Sequence, residues 1–400
     1  MRSVEEAQAA ILAHARPTPG EIVPLEHAAG RVPVARRFTA RVDVPPFANS
    51  AMDGYALRAA DAPGDLRVTG EIAAGSVASA SVEPGTAMRI MTGAPLPSGA
   101  DAVAPIEVVA EHGELVSVPA VEPGAHVRPA GGDTRAGDEV ELPDAPLGAA
   151  AVGVLASLGI GELEVHRAPR VAILSTGDEL RGPGDELGPG QIHDANSPAL
   201  AAAVAEAGGQ PDVLPRAPDD EAQIAATLLG CLATADLVVV SGGVSVGRHD
   251  HVRTVIERNG TLDFWRIRVQ PGKPLAFGQL GQVARPVLGL PGNPVSALVT
   301  FELFVRPLIR AMLGLRSPGR LVLPAVPAEP IRKDPERRAY LRVELHRVAD
   351  GSLVARSTGG QGSNQVRPLA AANALLVVPE GEAAAEPGRI YDALVIGALA

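Results

Sequence analysis

Between residues 169 and 313 short apolar runs alternate with stretches of helical length, and this alternation constrains the fold more than any other feature of the 400-residue chain. Val171–Leu174, Val213–Leu214, Leu237–Val240 and Val287–Leu290 read as strands. Ser197-Pro198 offers a helix N-cap with proline at the first position, and Gly208 stops that helix. Asp219 or Asp220 caps the next helix, which runs through Ala233, and a long helix follows from about Val295 to Leu313. Strands alternating with helices imply a parallel sheet with right-handed crossovers.

Three loops follow three of these strands: Ser175-Thr176-Gly177-Asp178-Glu179, Ser241-Gly242-Gly243-Val244-Ser245-Val246-Gly247 and Pro291-Gly292-Asn293-Pro294-Val295-Ser296. Ligands of open α/β sheets bind at the carboxyl ends of the strands, so all three should open toward one crevice. Glycines let backbone N–H groups approach an anion, and a phosphate-bearing ligand is expected. None matches the dinucleotide or P-loop glycine pattern, and no G-x-S-x-G elbow supports a hydrolase.

Outside this stretch the pattern changes. Ser3 and Glu6 fit a capping box ahead of the apolar stripe Val4, Ala7, Ile11 and Leu12. From Ile22 to Pro143 short β-type runs alternate with turns such as Pro63-Gly64, Pro84-Gly85 and Pro123-Gly124, and residues 147–160 return to a helix-like run. Beyond Ser317-Pro318-Gly319, Leu341, Val343 and Leu345 alternate with Arg342, Glu344 and His346, Ala349-Asp350-Gly351 is a hairpin-type turn, and a small β-barrel or sandwich is expected. The chain is thus read as α/β plus β and multi-domain, divided at 1–165, 166–315 and 316–400.

Composition excludes several classes. With 46% hydrophobic and 20% charged residues the chain is globular rather than disordered. One cysteine leaves no intramolecular disulfide and no cysteine zinc cluster. A net charge of −11 argues against nucleic-acid binding. No apolar stretch reaches the roughly 20 residues of a strong membrane span, and the acidic start Met1-Arg2-Ser3-Val4-Glu5-Glu6 has no signal-peptide core, so a soluble cytoplasmic protein is expected.

Asp178, Glu179, Asp219, Asp220 and Asp250 lie beside loops that suit anions. Carboxylates repel phosphate unless a cation lies between them, and Mg²⁺ held by one or two of them resolves the conflict. Helix capping accounts equally for Asp219 and Asp220. Lys273, one of only two lysines, sits in Pro271-Gly272-Lys273-Pro274 and suits an anion clamp. The polar stretch Asn49-Ser50-Ala51-Met52-Asp53-Gly54-Tyr55-Ala56 and Arg89-Ile90-Met91-Thr92-Gly93-Ala94-Pro95 are each either a turn scaffold or a substrate platform. His193, His249 and His251 form no zinc motif, and Cys231 reads as a buried small residue.

Taken together, these motifs resemble the MoeA family of molybdopterin molybdenumtransferases, which is related to the gephyrin E domain. Residues 49–56, Arg89–Ala94, Gly99-Ala100-Asp101, Ser175–Leu180, Ser241–Gly247, Pro271–Pro274 and Leu290–Ser296 carry the resemblance, in order along nearly the whole chain. It implies a central three-layer α/β molybdopterin-binding module, β-rich N-terminal modules and a C-terminal β-barrel. It also implies a homodimer with a composite active site, formed between the α/β module of one subunit and the N-terminal module of the other. The implied reaction is transfer of molybdate onto adenylylated molybdopterin with release of AMP, dependent on Mg²⁺. The molybdopterin adenylyltransferase and molybdoenzyme chaperones are the implied partners.

By the same resemblance Asp53, Thr92, Asp133, Glu179, Asp219 and Lys273 are catalytic positions. Ser175, Thr176, Gly177, Ser241, Gly242, Gly243, Ser245, Pro291, Asn293, Pro294, Ser296, Arg342 and Ser363 would bind substrate, and Glu179 with Asp250 would hold Mg²⁺. The sequence departs at Ala48, where many relatives carry Asp, and at Gln270, where many carry Lys. The second departure removes one cation and leaves Arg266 or Arg268 as candidates to replace it. The alternatives are a molybdopterin adenylyltransferase, tungstate-specific insertion and a non-enzymatic scaffold.

Overall fold

The computed structural model describes residues 1–243 and 251–399, with the backbone alone at Trp265. Two compact units divide the chain, one formed by Met1–Glu21 with His166–Ala400 and the other by Ile22–Val165.

The Ile22–Val165 unit holds a six-stranded sheet in the order Ala102–Pro105, Gly54–Leu57, Thr86–Ile90, Gly64–Ile72, Leu115–Val118 and Ala110–His112. Side chains alternate across a strand, so each strand feeds two cores. Tyr55 and Leu57 pack with Leu66, Ala87 and Val116 on one face. Ala56 packs with Ile72, Met88 and Ile90 on the other. The helix Ala149–Ser157 sits in a third cluster through Leu155.

The other unit opens with α1 (Val4–Leu12). Ser3 Oγ accepts from the Glu6 N–H at 3.1 Å and the Glu6 carboxylate accepts from the Ser3 N–H at 2.7 Å, the expected capping box. Val4, Ala7 and Ile11 are buried in the core of the α/β module.

That module runs β1 (Arg170–Ser175), α2 (Asn196–Glu206), β2 (Gln210–Val213), α3 (Glu221–Cys231), β3 (Leu237–Ser241), α4 (His251–Asn259), β4 (Gly260–Arg266), β5 (Val269–Gln270), β6 (Pro274–Leu280), β7 (Arg285–Leu290), α5 (Pro294–Thr300) and α6 (Arg306–Met312). The main sheet has the order β2-β1-β3-β7-β6-β4, with its first four strands parallel and β6 antiparallel to both of its neighbours, β7 and β4. Val171, Ile173, Leu237, Val239, Leu288 and Leu290 face the core shared with α1, α2 and α5. Ala172, Leu174, Val238, Val240 and Val287 face the core shared with α3 and α4. Three layers result because both faces of the sheet are apolar and both are covered. All five residues of β3 are buried, and each fully buried Val or Leu side chain contributes roughly 1.5–3 kcal/mol.

Two local expectations are corrected. Ser197 is not the cap of α2: the helix begins at Asn196, and Asp194 Oδ1 accepts from the N–H groups of both Asn196 and Ser197 at 3.0 Å. Asp194 precedes the apolar run by several residues, so spacing from Pro198 misplaced the start. The long helix after Val295 is interrupted by a π-helical turn, Phe301–Val305, between α5 and α6. Pro307 in the next turn lacks the N–H that a regular helix would use.

The C-terminal strands are β8 (Val322–Pro327), β9 (Arg338–Arg347), β10 (Leu353–Ser357), β11 (Ala374–Val378) and β12 (Tyr391–Val395). The order β9-β10-β8-β12-β11 closes back onto β9 as a five-stranded barrel. Closure leaves no unpaired sheet edge. The β9–β10 hairpin turns at Gly351, as its Asp-Gly pair predicts. β5 pairs with the start of β9 and so joins the α/β module to the barrel. Among the described residues no helix is long and apolar enough to cross a membrane.

Candidate functional site

The ends of β1, β3 and β7 and the barrel loops line one cavity of about 950 Å³. Its walls include Thr176, Gly177, Glu179, Ser241, Gly242, Gly243, Pro291, Asn293, Pro294, Ser296, Lys273, Asp219 and Ser363. The three glycine loops therefore converge as the sheet topology requires.

The convergence is tight. Gly242 has φ +94°, and a Cβ there would lie 2.7 Å from the Thr176 carbonyl oxygen. Gly292 approaches the same residue, with the Gly242 Cα 3.7 Å from where its own Cβ would stand. Gly177 serves a different purpose: a side chain at this position would meet the Glu179 carboxylate at 2.7 Å. The absence of that side chain lets Glu179 fold back over the loop and face the cavity.

Asn196, at the start of α2, ties the loops together. Its Nδ2 donates to Ser241 Oγ and to the Gly292 carbonyl, both at 2.7 Å. Asp220 Oδ1 accepts from the Gln223 N–H at 2.9 Å and is the cap of α3. That leaves Asp219 on the cavity wall, while Asp178 accepts from the Asp219 N–H at 3.3 Å.

Charges of both signs face the space. The Lys273 ammonium makes no ion pair or hydrogen bond among the described residues. Arg337 also lines the cavity, and its Nε donates to Asp334 Oδ2 at 2.8 Å. Glu179, Asp194 and Asp219 supply the carboxylates. No group of three or more His, Cys, Asp or Glu side chains able to hold a metal forms among the described residues. Mg²⁺ needs only one or two carboxylates beside phosphate and water oxygens, and the hard oxygens of Glu179 and Asp219 fit that requirement.

Other sequence-assigned positions fall elsewhere. Ser175 is buried beneath the cavity, with its Oγ 2.8 Å from Ser197 Oγ. Arg342 is fully buried under the segment that carries Ser363. Its Nη2 donates to the Gly360 carbonyl at 2.7 Å and its N–H to Gln361 Oε1 at 3.0 Å. It holds that segment and does not line the cavity. Burial holds the Arg342 guanidinium below its ordinary value. Ser363 reaches the wall, where its Oγ accepts from Asn293 Nδ2 at 2.9 Å. Val244, Ser245, Val246, Gly247, His249 and Asp250 lie outside the described residues. Cys231 is buried, with its Sγ 3.1 Å from the Leu228 carbonyl.

Asp53, Thr92 and Asp133 belong to the Ile22–Val165 unit. Asp53 Oδ1 accepts from both the Thr92 hydroxyl and the Thr92 N–H at 2.6 Å. These two bonds hold the Asp53 carboxyl below the usual carboxylate range, the hydroxyl most strongly. Asn49 and Ser50 are buried. The Ser50 hydroxyl donates to the Met52 carbonyl at 2.5 Å, so the start of this motif is a turn scaffold that presents Asp53. Asp133 is exposed, and its N–H donates to the Val44 carbonyl at 2.9 Å.

Sequence reasoning assigned no role to Asn196 and did not consider Arg337. Asn196 carried a weak signal, as one of six asparagines in the chain. Arg337 carried none in an arginine-rich sequence. Neither Arg266 nor Arg268 lines the cavity.

A parallel-sheet crevice rich in backbone N–H groups, hydroxyls and cations, backed by a β-barrel, defines a multi-domain α/β protein built to hold an oxyanionic or phosphorylated small molecule. Family models sharpen this. Residues 2–159 match the MoeA N-terminal region (domain I and II), residues 172–311 a probable molybdopterin binding domain, and residues 324–396 the MoeA C-terminal region (domain IV). Molybdopterin molybdenumtransferase 2 of Mycobacterium tuberculosis is 39% identical over 394 residues, covering 95% of this chain and 96% of the relative. Molybdopterin molybdenumtransferase 1 of the same organism is 37% identical over 420 residues, covering 98% of each. A solved molybdopterin biosynthesis MoeA protein from Pyrococcus horikoshii has a TM-score of 0.83 at 28% identity, covering 99% of this chain and 100% of that one. The chain belongs to the MoeA family.

Proposed function

We propose that this chain is a molybdopterin molybdenumtransferase that inserts molybdate into adenylylated molybdopterin and releases AMP in a Mg²⁺-dependent reaction. The observation that carries this reading is the single cavity onto which three glycine loops, Lys273, Arg337 and Ser296 converge. Molybdate is a tetrahedral dianion, and cations with hydroxyl donors suit it. The nucleotide and pterin phosphates suit the N–H groups of Gly243 and Gly292, which donate to no described residue.

In this reading Lys273 and Arg337 hold the oxyanion and the Ser296 hydroxyl donates to it. The Thr176 hydroxyl, buried and without a partner among the described residues, and Ser241 orient the phosphates. Glu179 and Asp250 would hold Mg²⁺, Asp219 lines the same cavity as Glu179, and bound Mg²⁺ would supply neutralisation of the phosphate charge as AMP departs. A second copy of the chain contributes its Asp53, Thr92 and Asp133, making a homodimer with a composite site. By function the chain divides at 1–165, 166–315 and 316–400, although Met1–Glu21 packs into the same compact unit as the α/β module. The chain acts in the cytoplasm, between a molybdopterin adenylyltransferase and the chaperones of molybdoenzymes.

Complementation of a bacterial strain lacking the insertion step tests this, with nitrate reductase activity as the readout at low molybdate. Rescue by the wild-type chain and loss with Asp53→Ala or Glu179→Ala is the expected result. Failure at every molybdate concentration with folded protein contradicts it. ATP-dependent transfer of AMP onto molybdopterin would indicate the adenylyltransferase instead.

A further inference from the structure

A short relay connects Gln270 to Arg337, and both residues line the cavity. Pairing of β5 with β9 sets Val269 opposite Arg338 and Gln270 opposite Ala339. From there the Gln270 side chain reaches the turn before β9, where its Oε1 accepts from the Asp334 N–H at 3.0 Å. The Asp334 carboxylate is saturated within the turn. Its Oδ1 accepts from the Glu336 N–H at 2.9 Å, and its Oδ2 accepts from Arg337 Nε at 2.8 Å and from Arg337 Nη2. The Arg337 carbonyl accepts in turn from Lys333 Nζ. Arg337 is therefore fixed at both ends, with its Nη1 left without a partner among the described residues. The neighbouring Arg338 is engaged by Glu5 and Glu380 and does not line the cavity.

We infer that Gln270 is a positioning residue for oxyanion capture: its amide oxygen anchors the Asp334–Arg337 turn and so aims the Arg337 guanidinium into the cavity that Lys273 also lines. The inference rests on the oxyanion site proposed above. Gln270 is neutral, and its role is to accept. A lysine here could only donate, and the Asp334 N–H would lose its partner.

The test is a double-mutant cycle on the full-length chain, with molybdate alone as the titrated probe and binding read by calorimetry. Gln270→Ala and Arg337→Gln are each expected to weaken binding about tenfold, and the double variant to be no weaker than either. In turnover, Gln270→Ala should raise the molybdate requirement while leaving kcat and the pterin requirement unchanged. Gln270→Lys should behave as Gln270→Ala does. Effects that multiply to about a hundredfold in the double variant would overturn the relay, as would full affinity in Gln270→Ala. A thermal melt on each variant separates a folding defect from lost positioning, and a Gln270→Ala defect that tracks global unfolding also overturns the claim. Non-additive oxyanion binding across the four proteins of the cycle, together with no metal insertion by the wild-type chain, would sink the proposed reaction and leave the relay standing.

Discussion

The side-chain amide of Asn196 donates to the Ser241 hydroxyl at 2.7 Å, and its second hydrogen reaches the Gly292 carbonyl at the same distance. Two loops that leave different strands are thereby held in one arrangement by a single side chain from the start of α2. Asn196→Asp replaces both donated hydrogens with a carboxylate: the Ser241 hydroxyl can turn and donate to it, but the Gly292 carbonyl is left facing an acceptor. We expect a stability loss of about 1 kcal/mol, the net worth of a typical hydrogen bond, together with at least a tenfold fall in turnover. Thermal unfolding and steady-state kinetics on one preparation check it, and unchanged values in both would contradict the bracing role.

Gly242→Ala tests the close approach of the loops. With φ +94° and Thr176 2.7 Å from the new Cβ, the backbone must move. The expected cost is roughly 1–3 kcal/mol, with loss of substrate affinity. Gly292→Ala, whose new Cβ would meet nothing nearer than 3.7 Å, should be milder in both measurements.

Lys273 and Glu179 should fail differently. Lys273→Ala removes a cation without an internal partner, so the protein should melt normally while its half-saturating molybdate rises about tenfold or more. Glu179→Ala should abolish AMP release at any molybdate concentration and retain the fold. Equal sensitivity of both variants to added molybdate would contradict the division of roles.

Asp53 carries a pH prediction. Its carboxyl is held below 3.8 by the Thr92 hydroxyl and N–H. Because the folded value is depressed, the contact's contribution is fully present above the unfolded value and is lost as pH falls through the folded one. Carboxyl NMR titration should place the wild-type midpoint below 3.8 and move it upward in Thr92→Val. A wild-type midpoint at or above 3.8 would contradict the two-bond arrangement.

Arg320 donates to both oxygens of Glu302 at 2.8 Å, while Arg306 stands 3.8 Å from the same carboxylate. Burial, with Arg320 nearby, lowers Arg306 to about 10. Arg320→Ala takes the better partner from a largely buried carboxylate and should cost about 3 kcal/mol. Chemical denaturation reads it, and a change below 1 kcal/mol would show that Arg306 alone suffices.

The parts of the fold legible in sequence are those governed by local period and backbone chemistry. Leu237–Val240 is apolar at every position because both faces of that strand are covered, and a run of that kind is visible without a structure. Glycines after three such strands marked the crevice because loop geometry demands them. The residues that were not legible act across long separations. Arg337 reaches the cavity through a turn anchored by Gln270, 64 positions before Asp334, and nothing local to either marks that contact. The family resemblance assigns Arg342 to the substrate, and the alternation of apolar and polar residues around it predicts only a strand. Alternation gives the face of a strand but not what covers that face, and the segment around Gly360 covers this one. Asp219 and Asp220 were equivalent as caps until backbone geometry gave the cap to Asp220.

The most direct test of the central claim is reconstitution with the purified chain, Mg²⁺, adenylylated molybdopterin and molybdate, counting AMP released against molybdenum bound to the pterin. The proposed reaction requires equal amounts of the two in the wild-type protein and neither in Glu179→Ala. AMP release without metal incorporation, or incorporation unaffected by Glu179→Ala, would contradict it.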